Sequence, residues 1–340
     1  MWNTNTSIES DVLVDFTHIG CLECGCVQLE DLVDPSILYT ETYSTPLFSA
    51  IWQRHHAKFA RFILDTTFDS AFLEIGGNTG ALYKHLHELR EIQYTILDME
   101  RNLQLSDEVD FIRGKCEEFD YSGHKAIIAS HVFEHLHSPR LFLETIQRYG
   151  VETVYISIPD FEALLDQGYI TLLTTQHTFY CGFDYICYLF SLYGYTNEVY
   201  TRFEEHSTMF KFVKSDITPL AIPRCQNLIS RVENIFLEYT RRINSIELNE
   251  ECYICPAGMY GQMLYYSLGN AKTNVIGFID GDIKKAGSRL YGTDKLTFSP
   301  STLTKYTAKP VTVIVCNTPY EKEILKYLNE YSRHITIMHV

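Results

Sequence analysis

Hydrophobic positions in the first two thirds of the chain follow two periodicities, and their alternation predicts the fold. Apolar residues at helical spacing predict a helix over residues 51–64. Short buried apolar runs predict strands at residues 71–75, 94–97, 110–112, 126–129 and 154–158. Further helices are predicted between these strands, at residues 79–90 and 139–150. Strands that alternate with helices form a parallel sheet covered on both faces, so we expect an α/β domain.

The alternation restarts in the last third of the chain, after a late pair of strands. That pair, at residues 197–203 and 208–213, is predicted to be antiparallel. A long amphipathic helix is predicted next, over residues 227–245. It is followed by predicted strands at residues 252–255, 274–279, 311–316 and 335–339, with a helix at 320–331. We therefore expect three parts: a small irregular N-terminal module with cysteines (1–47), an α/β domain (48–218) and a smaller Rossmann-like α/β domain (219–340).

Charge and composition narrow the classes of partner. The 340 residues carry a formal net charge of −15, whereas general nucleic-acid binding requires a basic surface. The first residues lack the basic start and apolar block of a signal peptide, and no apolar run approaches the ~20 residues that span a bilayer. We expect a cytoplasmic protein without a membrane span, whose ten cysteines are not a disulfide framework.

The strongest local signal follows the first predicted strand and reads Glu74-Ile-Gly76-Gly77-Asn78-Thr-Gly80. Glycines between a strand and a helix allow the backbone to approach a ligand closely. The spacing Glu-x-Gly-x-x-x-Gly differs from the G-x-G-x-x-G pattern that binds a dinucleotide pyrophosphate. An acid at the end of the strand suits a cationic ligand group instead. A tight turn without a ligand is the alternative.

Asp98 ends the next predicted strand and is a second candidate binding residue. A carboxylate at this place accepts hydrogen bonds from the ribose hydroxyls of an adenosine cofactor, as it also does in NAD enzymes. A solvated aspartate in a turn is the alternative.

The loop after the fourth predicted strand contains His131, Glu134, His135 and His137. Loops that follow parallel strands converge over one edge of the sheet, so these side chains are expected near the glycine loop. His135 is the candidate base, since a neutral imidazole accepts a proton near pH 7. Metal binding by these four side chains is the alternative.

Three other histidines are weaker candidates. His55 and His56 lie on the first predicted helix, where exposure to solvent is the default expectation and a position facing the cleft for one of them is the alternative. His206 precedes a predicted strand and is expected to border the site.

Taken together, the glycine loop, Asp98 and the histidine loop resemble class I S-adenosylmethionine-dependent methyltransferases over roughly residues 50–215. The resemblance implies a Rossmann-like sheet with S-adenosylmethionine as the cofactor. It also implies that the adenine is lined by Cys116 and Glu117. The complete implied binding set within this region is Glu74, Gly76, Gly77, Asn78, Gly80, Asp98, Cys116, Glu117 and His131.

The N-terminal module resembles one subfamily, the sugar-nucleotide C-methyltransferases of deoxysugar pathways. It reads Cys21-Leu-Glu-Cys24-Gly-Cys26-Val-Gln-Leu and continues into a Tyr-rich segment with Tyr43, which the resemblance assigns to the cofactor. The subfamily has two Cys pairs around structural zinc, and only the second pair is present here. His18 and the three cysteines are therefore the candidate zinc ligands, and inert cysteines in a packed module are the alternative.

The resemblance to this subfamily also extends to the acceptor side. It implies that Gly258 and Gly261 bind the nucleotide diphosphate of the acceptor and that Tyr180 contacts the acceptor. The subfamily carries a Glu–His pair of acid–base groups after the fifth strand, and here that pair is Gln176–His177. Glutamine cannot transfer a proton, so this departure leaves O-methylation open.

We therefore expect a methyltransferase that acts on a sugar or sugar nucleotide, with His135, His177 and Gln176 at the reacting centre. C-methylation of a keto-deoxysugar nucleotide is preferred. O-methylation of a hydroxyl group on a glycan, lipid or small metabolite is the alternative. A non-catalytic binding protein is disfavoured because the motif residues occur together. A nicotinamide-dependent enzyme is disfavoured because the second glycine turn is a weak signal.

Overall fold

The computed structural model describes residues 3–38, 50–102, 104–224 and 227–340, so the predicted cofactor contact Tyr43 lies outside the described residues. The elements of the N-terminal segment are short. In chain order they are β1 (Asn3–Thr4), β2 (His18–Gly20), β3 (Val27–Leu29) and α1 (Pro35–Leu38).

The central part of the chain forms a large sheet and the helices that cover it. Its elements are α2 (Ala50–Asp65), β4 (Ala71–Ile75), α3 (Ala81–Leu89), β5 (Gln93–Asp98), β6 (Asp110–Arg113), β7 (Ala126–Ser130), α4 (Pro139–Arg148), β8 (Thr153–Pro159), α5 (Phe161–Asp166), β9 (Phe179–Tyr180), α6 (Phe183–Ser191), β10 (Tyr195–Phe203) and β11 (Ser207–Lys214).

Seven of these strands form one sheet in the order β10-β11-β8-β7-β4-β5-β6. Strands β4 to β8 are parallel to one another, β11 is antiparallel to β8, and β10 is antiparallel to β11. The predicted α/β fold class and the predicted late antiparallel pair are both confirmed.

Side chains that alternate along the strands pack the sheet on both faces. In β4, Leu73 faces a core shared with Phe142 of α4, while Phe72 faces a second core shared with Phe59 of α2. A sheet covered on both faces needs strands that are apolar at nearly every position, which explains the short apolar runs in the sequence.

The last part of the chain forms a second sheet after a long helix. Its elements are α7 (Asn227–Asn244), β12 (Cys252–Cys255), α8 (Met259–Ser267), β13 (Val275–Ile279), β14 (Arg289–Leu290), β15 (Thr297–Phe298), β16 (Val311–Val315), α9 (Glu321–Leu328) and β17 (Ile335–His339). Five of the strands form a parallel sheet in the order β15-β13-β12-β16-β17.

Short 3-10 helices and glycines refine the predicted boundaries. The 3-10 helices are Ile8–Ser10, Phe133–His135, Ile170–Leu172, Gly269–Asn274, Ile283–Lys285, Pro300–Lys305 and Asn329–Tyr331. The 3-10 helix Asn329–Tyr331 follows α9 and replaces the end of the α-helix that was predicted over residues 320–331. Helix α3 begins at Ala81, later than predicted, because Gly80 has a left-handed φ of 70° that is incompatible with a helical residue.

The N-terminal segment contacts both sheet regions. Strand β1 pairs antiparallel with β14 of the last part of the chain. Strand β3 pairs antiparallel with β2 on one side and with β9 of the central part on the other. Within the described residues, no helix has the length and apolar character needed to cross a membrane.

A buried ion pair fixes the N-terminal segment to the last part of the chain. The guanidinium of Arg289 donates to both carboxylate oxygens of Asp11, at 2.6 and 2.5 Å, and the Gly292 N–H also donates to this carboxylate. The Asp11 side chain is 2% exposed and that of Arg289 is 10% exposed. Burial alone raises the pKa of Asp11, but the hydrogen bonds from Arg289 and Gly292 outweigh it and lower the pKa.

We expect Asp11→Ala to lower the free energy of unfolding by about 3 kcal/mol, because it leaves the buried guanidinium without its carboxylate. The native pKa of Asp11 is lowered, so its contribution is present above the unfolded value of about 3.9 and is lost as the pH falls further. Urea unfolding at pH 7 and pH 3 tests both points. The control is Glu250→Ala, which breaks an exposed ion pair with Lys309 and should cost less than about 1 kcal/mol. Equal losses in the two variants would contradict the expectation.

Candidate functional site

The carboxyl ends of β4, β5, β7 and β8 open onto a cleft of about 1230 Å³. Parallel strands direct the loops that follow them to the same edge of the sheet, which is why the predicted site residues meet there. Those that line the cleft are Glu74, Gly76, Gly77, Asn78, Asp98, Cys116, Glu117, His131, His135, Gln176, His177 and Tyr180. The last part of the chain contributes Met259, Tyr260, Pro319 and Tyr320 to the same cleft.

The glycine loop leaves space that side chains would fill. Gly76 has a φ of 69°, and a Cβ on it would lie 2.6 Å from Val132. A Cβ on Gly77 would lie 2.5 Å from the Glu74 carboxyl and 2.7 Å from Ile96. The loop therefore requires glycine at both positions, and its backbone borders the cleft directly.

Glu74 brings a buried carboxyl to this loop. The residue is 3% exposed, and its Oε2 atom has no hydrogen-bond partner. Burial raises the pKa of Glu74 to about 8, the nearby Asp98 carboxylate acts in the same direction, and the Tyr94 hydroxyl acts against both. A cationic group in the cleft would be the natural partner for this carboxyl.

Asp98 lies at the end of β5, beside the glycine loop. Its carboxylate accepts hydrogen bonds from the backbone N–H groups of Asn78, at 3.3 Å, and Met99, at 2.7 Å. Burial raises the pKa of Asp98, and these backbone donors act in the opposite direction. The Cys116 thiol contacts the Glu117 carboxyl at 3.3 Å on the same side of the cleft.

The loop after β7 carries a second buried carboxyl. Glu134 is 5% exposed and lies in the 3-10 helix Phe133–His135. Its Oε1 atom is 3.1 Å from Nδ1 of His131 and 3.9 Å from Nε2 of His135. Burial raises the pKa of Glu134 to about 7, although the nearby His135 acts to lower it.

His135 and His177 face each other beside Glu134, with ring centroids 4.7 Å apart. His135 Nδ1 lies 3.0 Å from the carbonyl oxygen of Gln176, and a carbonyl can only accept. His135 therefore carries its hydrogen on Nδ1 and its lone pair on Nε2. The His177 ring is bonded to the backbone of Leu172, and burial lowers the pKa of His177 well below its usual value. Both rings are thus held in fixed orientations, and the lowered pKa of His177 favours its neutral form.

The histidine pair on α2 is buried, so the expectation that His55 and His56 are solvated is wrong. His55 is 0% exposed and His56 is 5% exposed, and His56 is the one of the two that lines the cleft. His55 Nε2 lies 2.8 Å from the Ser157 hydroxyl. Trp52, also on α2, packs edge-on against His131 and His206, which confirms that His206 lies near the site.

The N-terminal hairpin, which consists of β2 and β3 (residues 18–29), contacts the segment that contains His177. Strand β3 pairs with β9 directly after that histidine, and the Leu29 N–H donates to the Thr178 carbonyl at 3.1 Å. Tyr180 on β9 is fixed by its hydroxyl, which donates to the Thr174 carbonyl at 3.0 Å. The hairpin was not recognised from the sequence as a support for the site, because short strands give little periodic signal.

The four predicted zinc ligands of the hairpin are not gathered around one point. Cys21 contacts Cys24, but the His18 ring packs against Phe16 and Tyr180, with ring centroids 5.4 Å away in each case. Across the described part of the chain, the group of side chains whose ligand atoms all lie within 4.8 Å of one another is Glu134, His135 and His177. This group contains no cysteine, so it is not the predicted zinc site of the hairpin. It also differs from the predicted metal set of the histidine loop, because it contains His177 in place of His131 and His137.

Three predicted glycines do not line the cleft. Gly80 sets the start of α3, as described above. A Cβ on Gly261 would lie 2.2 Å from the Pro256 carbonyl oxygen, so this glycine is needed for packing inside the second sheet region. Gly258 precedes α8 and has open space around its Cα. Their neighbours Met259 and Tyr260 border the cleft in their place.

We expect Glu74→Gln to stabilise the protein as the pH rises. The pKa of Glu74 is about 8 in the folded protein and about 4.3 in an unfolded chain, so folding becomes less favourable between these values. Glutamine has no such titration. The melting temperature of the variant should exceed that of the wild type by about 2–4 °C or more at pH 8, and should match it at pH 4. Glu88→Gln, on the exposed face of α3, is the control. A difference in melting temperature between the variant and the wild type that is the same at pH 4 and pH 8 would contradict the expectation.

No protein-family model matches the chain, and no curated protein matches it either. Solved structures do show likeness over about half of it. Magnesium protoporphyrin IX methyltransferase from Synechocystis PCC 6803, with bound SAH, is 12% identical, with 52% of this chain and 91% of that chain covered and a TM-score of 0.40.

Two further solved structures are similar to the same extent. 1,6-Didemethyltoxoflavin-N1-methyltransferase from Burkholderia thailandensis is 13% identical, covering 49% of this chain and 79% of that one, with a TM-score of 0.39. Human N-acetylserotonin methyltransferase in complex with SAM is 15% identical, with 51% of this chain and 60% of that chain covered and a TM-score of 0.39. Likeness at this level carries no argument about the activity or the substrate.

Proposed function

We propose that the protein transfers a methyl group from S-adenosylmethionine to a sugar or sugar-nucleotide acceptor. The observation that carries the proposal is the pairing of Glu74 and Asp98 around a glycine loop at the carboxyl edge of the large sheet. Glu74 is buried with an unpartnered oxygen, and Asp98 ends the neighbouring strand. These two carboxyls match the two polar ends of the proposed cofactor, its cationic amino group and its ribose hydroxyls.

The residues of the cleft fit that cofactor. Glu74 would hold the amino group, Asp98 would accept from the ribose hydroxyls, and Cys116 and Glu117 would border the adenine. The glycine loop gives the ligand room, because a Cβ on Gly77 would fill the space beside Glu74. When bound, S-adenosylmethionine supplies an electrophilic methyl group on a sulfonium centre.

His135 and His177 are the proposed proton acceptors. The lone pair of His135 is on Nε2, as its contact with the Gln176 carbonyl requires. One of the two imidazoles would take the proton that an acceptor carbon beside a ketone, or an acceptor hydroxyl, loses as it attacks the methyl group. Such positioned acid–base groups accelerate proton transfer by about 10²–10⁴-fold.

Glu134 supports C-methylation over the alternative. The sequence has Gln176 at the position of the expected acid, which favoured O-methylation. The Glu134 carboxyl, contributed by a different loop, lies within 4.8 Å of the ligand atoms of both histidines. A carboxyl group is therefore present beside His177 although the neighbouring residue in sequence is an amide. O-methylation of a glycan, lipid or small-metabolite hydroxyl remains the second candidate, and Gln176 is the observation that favours it.

We propose that the acceptor binds between the two sheets. Met259, Tyr260 and Tyr320 reach the cleft from the second sheet region, opposite the histidines. Aromatic side chains at the mouth of a cleft stack on rings and donate hydrogen bonds from their hydroxyl groups. We propose residues 219–340 as the acceptor-binding part and residues 48–218 as the cofactor-binding part.

We expect the wild type to bind S-adenosylhomocysteine, the product form of the cofactor, and Asp98→Ala to weaken this binding about ten- to a hundredfold. The reason is the loss of charged hydrogen bonds worth about 1.5–3 kcal/mol. Calorimetric titration measures the affinity. The matched control is Asp294→Asn, an exposed aspartate whose loss should leave the affinity unchanged. A wild type that fails to bind would refute the proposed cofactor.

Binding should also release a proton near pH 7. Glu74 is largely protonated in the free protein, since its pKa is about 8, and a cationic partner favours the ionised carboxylate. Affinity should therefore rise as the pH increases towards 8. Titrations in buffers with different ionisation enthalpies measure the released proton directly. Glu74→Gln should bind more weakly and release none; proton release that persists in this variant would assign it to another group.

We expect His135→Gln and His177→Gln to lower kcat for methyl transfer about 10²–10⁴-fold while S-adenosylhomocysteine affinity stays within about twofold. The assay uses a panel of keto-sugar nucleotides and glycan acceptors, and NMR of the product separates C-methyl from O-methyl groups. His339→Gln, on an exposed strand end, is the control. Full activity in both site variants would exclude a role for this histidine pair.

A further inference from the structure

We propose that Glu134, His135 and His177 bind a divalent transition-metal ion in the cleft. Their ligand atoms all lie within 4.8 Å of one another, and all three residues line the cleft. Two imidazoles and one carboxylate form a common protein ligand set for zinc and for other first-row divalent metals. The chain brings them together from two segments, the loop after β7 and the segment before β9.

The outer contacts of the two histidines are those of metal ligands. His135 Nδ1 lies 3.0 Å from the Gln176 carbonyl, so its lone pair is on Nε2, the nitrogen nearer to Glu134. His177 is hydrogen-bonded through its ring to the backbone of Leu172. Metal-binding histidines nearly always donate their second ring nitrogen to a carbonyl or carboxylate, which fixes the ring and its tautomer.

Glu134 provides the independent observation that points to a ligand. The residue is 5% exposed, and neither carboxylate oxygen makes a hydrogen bond of good geometry within the described residues. His131 Nδ1 lies 3.1 Å from Oε1 and limits where the carboxylate can turn. A buried carboxylate without hydrogen bonds is costly, and a coordinated cation compensates for this cost.

The types of ligand atom in this group limit which metal ions it can bind. The group has no thiolate, which excludes the ligand set preferred by Cu(I). Magnesium and calcium prefer sites made of oxygen ligands, whereas imidazole suits Zn²⁺, Fe²⁺, Co²⁺ and Ni²⁺. Three protein ligands leave at least one coordination position for water or for an oxygen of a bound molecule.

Metal binding changes how the acceptor would be activated. The lone pair that accepts a proton in the metal-free site is the one that would bind the ion. A bound ion would make a coordinated acceptor hydroxyl lose its proton more readily, because a cation lowers the pKa of a hydroxyl that it coordinates. This consequence rests on the proposed methyl transfer, whereas metal binding itself does not.

The test is titration of chelator-treated full-length protein with Co²⁺ or Zn²⁺ alone. We expect one equivalent to bind, and the visible spectrum of bound Co²⁺ reports its ligands. Glu134→Gln and His177→Gln should each weaken binding more than about tenfold, since even loss of an outer partner costs this much. Two controls should keep the ion: Cys21→Ser/Cys24→Ser in the hairpin, and His339→Gln, which breaks an exposed His–Glu pair.

X-ray absorption of the zinc-loaded wild type gives a readout that does not depend on a variant's folding. Two imidazole ligands without sulfur are expected. Sulfur ligation, binding that is lost only in the cysteine variant, or a wild type that binds no ion would each overturn the proposal. S-adenosylhomocysteine titration of the same samples tests the proposed function separately, because Glu74 and Asp98 are not among the metal ligands.

Discussion

Burial of carboxyl groups at one edge of the large sheet is the constraint on which the rest of the site depends. Glu74 and Glu134 are each at least nine-tenths buried, and both have oxygens without hydrogen-bond partners. A folded chain tolerates such groups when they are protonated or when a ligand neutralises them. Both carboxyls border the same cleft, so a cationic ligand relieves a cost that the protein bears without it. The site is in this sense prepared by the fold before any ligand arrives.

The N-terminal hairpin also contributes to the geometry of the site, although it precedes the glycine loop by about fifty residues in the chain. Strand β3 adds to β9 and so fixes the segment of Gln176 and His177 against the loop after β7. The Gln176 carbonyl orients His135, and Gln176 is one of the residues that line the cleft. The backbone of this segment thus carries as much of the site's geometry as its side chains do. Backbone positioning of this kind is compatible with the proposed proton transfer although residue 176 is an amide where an acid was expected.

The parts of this structure that the sequence predicts are those encoded locally. Apolar runs predict the strands, and the spacing of Glu74, Gly76 and Gly80 predicts the turn, because each depends on neighbouring residues alone. The position of Glu134 beside His177 was not predictable, since it depends on contacts between distant segments, such as the hydrogen bond from the Thr178 N–H to the Glu134 carbonyl. The burial of His55 was missed for a similar reason: a helix with mixed polarity does not reveal which polar side chains face a sheet edge.

The pairing of β1 with β14 also constrains the order in which the chain can fold. During synthesis β1 leaves the ribosome long before Arg289 and Leu290 exist, so this contact cannot form until most of the chain has been made. Contacts of such high sequence separation slow folding far more than they alter stability, because the entropy of closing a loop grows only slowly with its length. Until then the Asp11 carboxylate is solvated and has no guanidinium partner. Residues 3–11 therefore lack these contacts for most of translation, and a chaperone that binds nascent chains would find them exposed during that time.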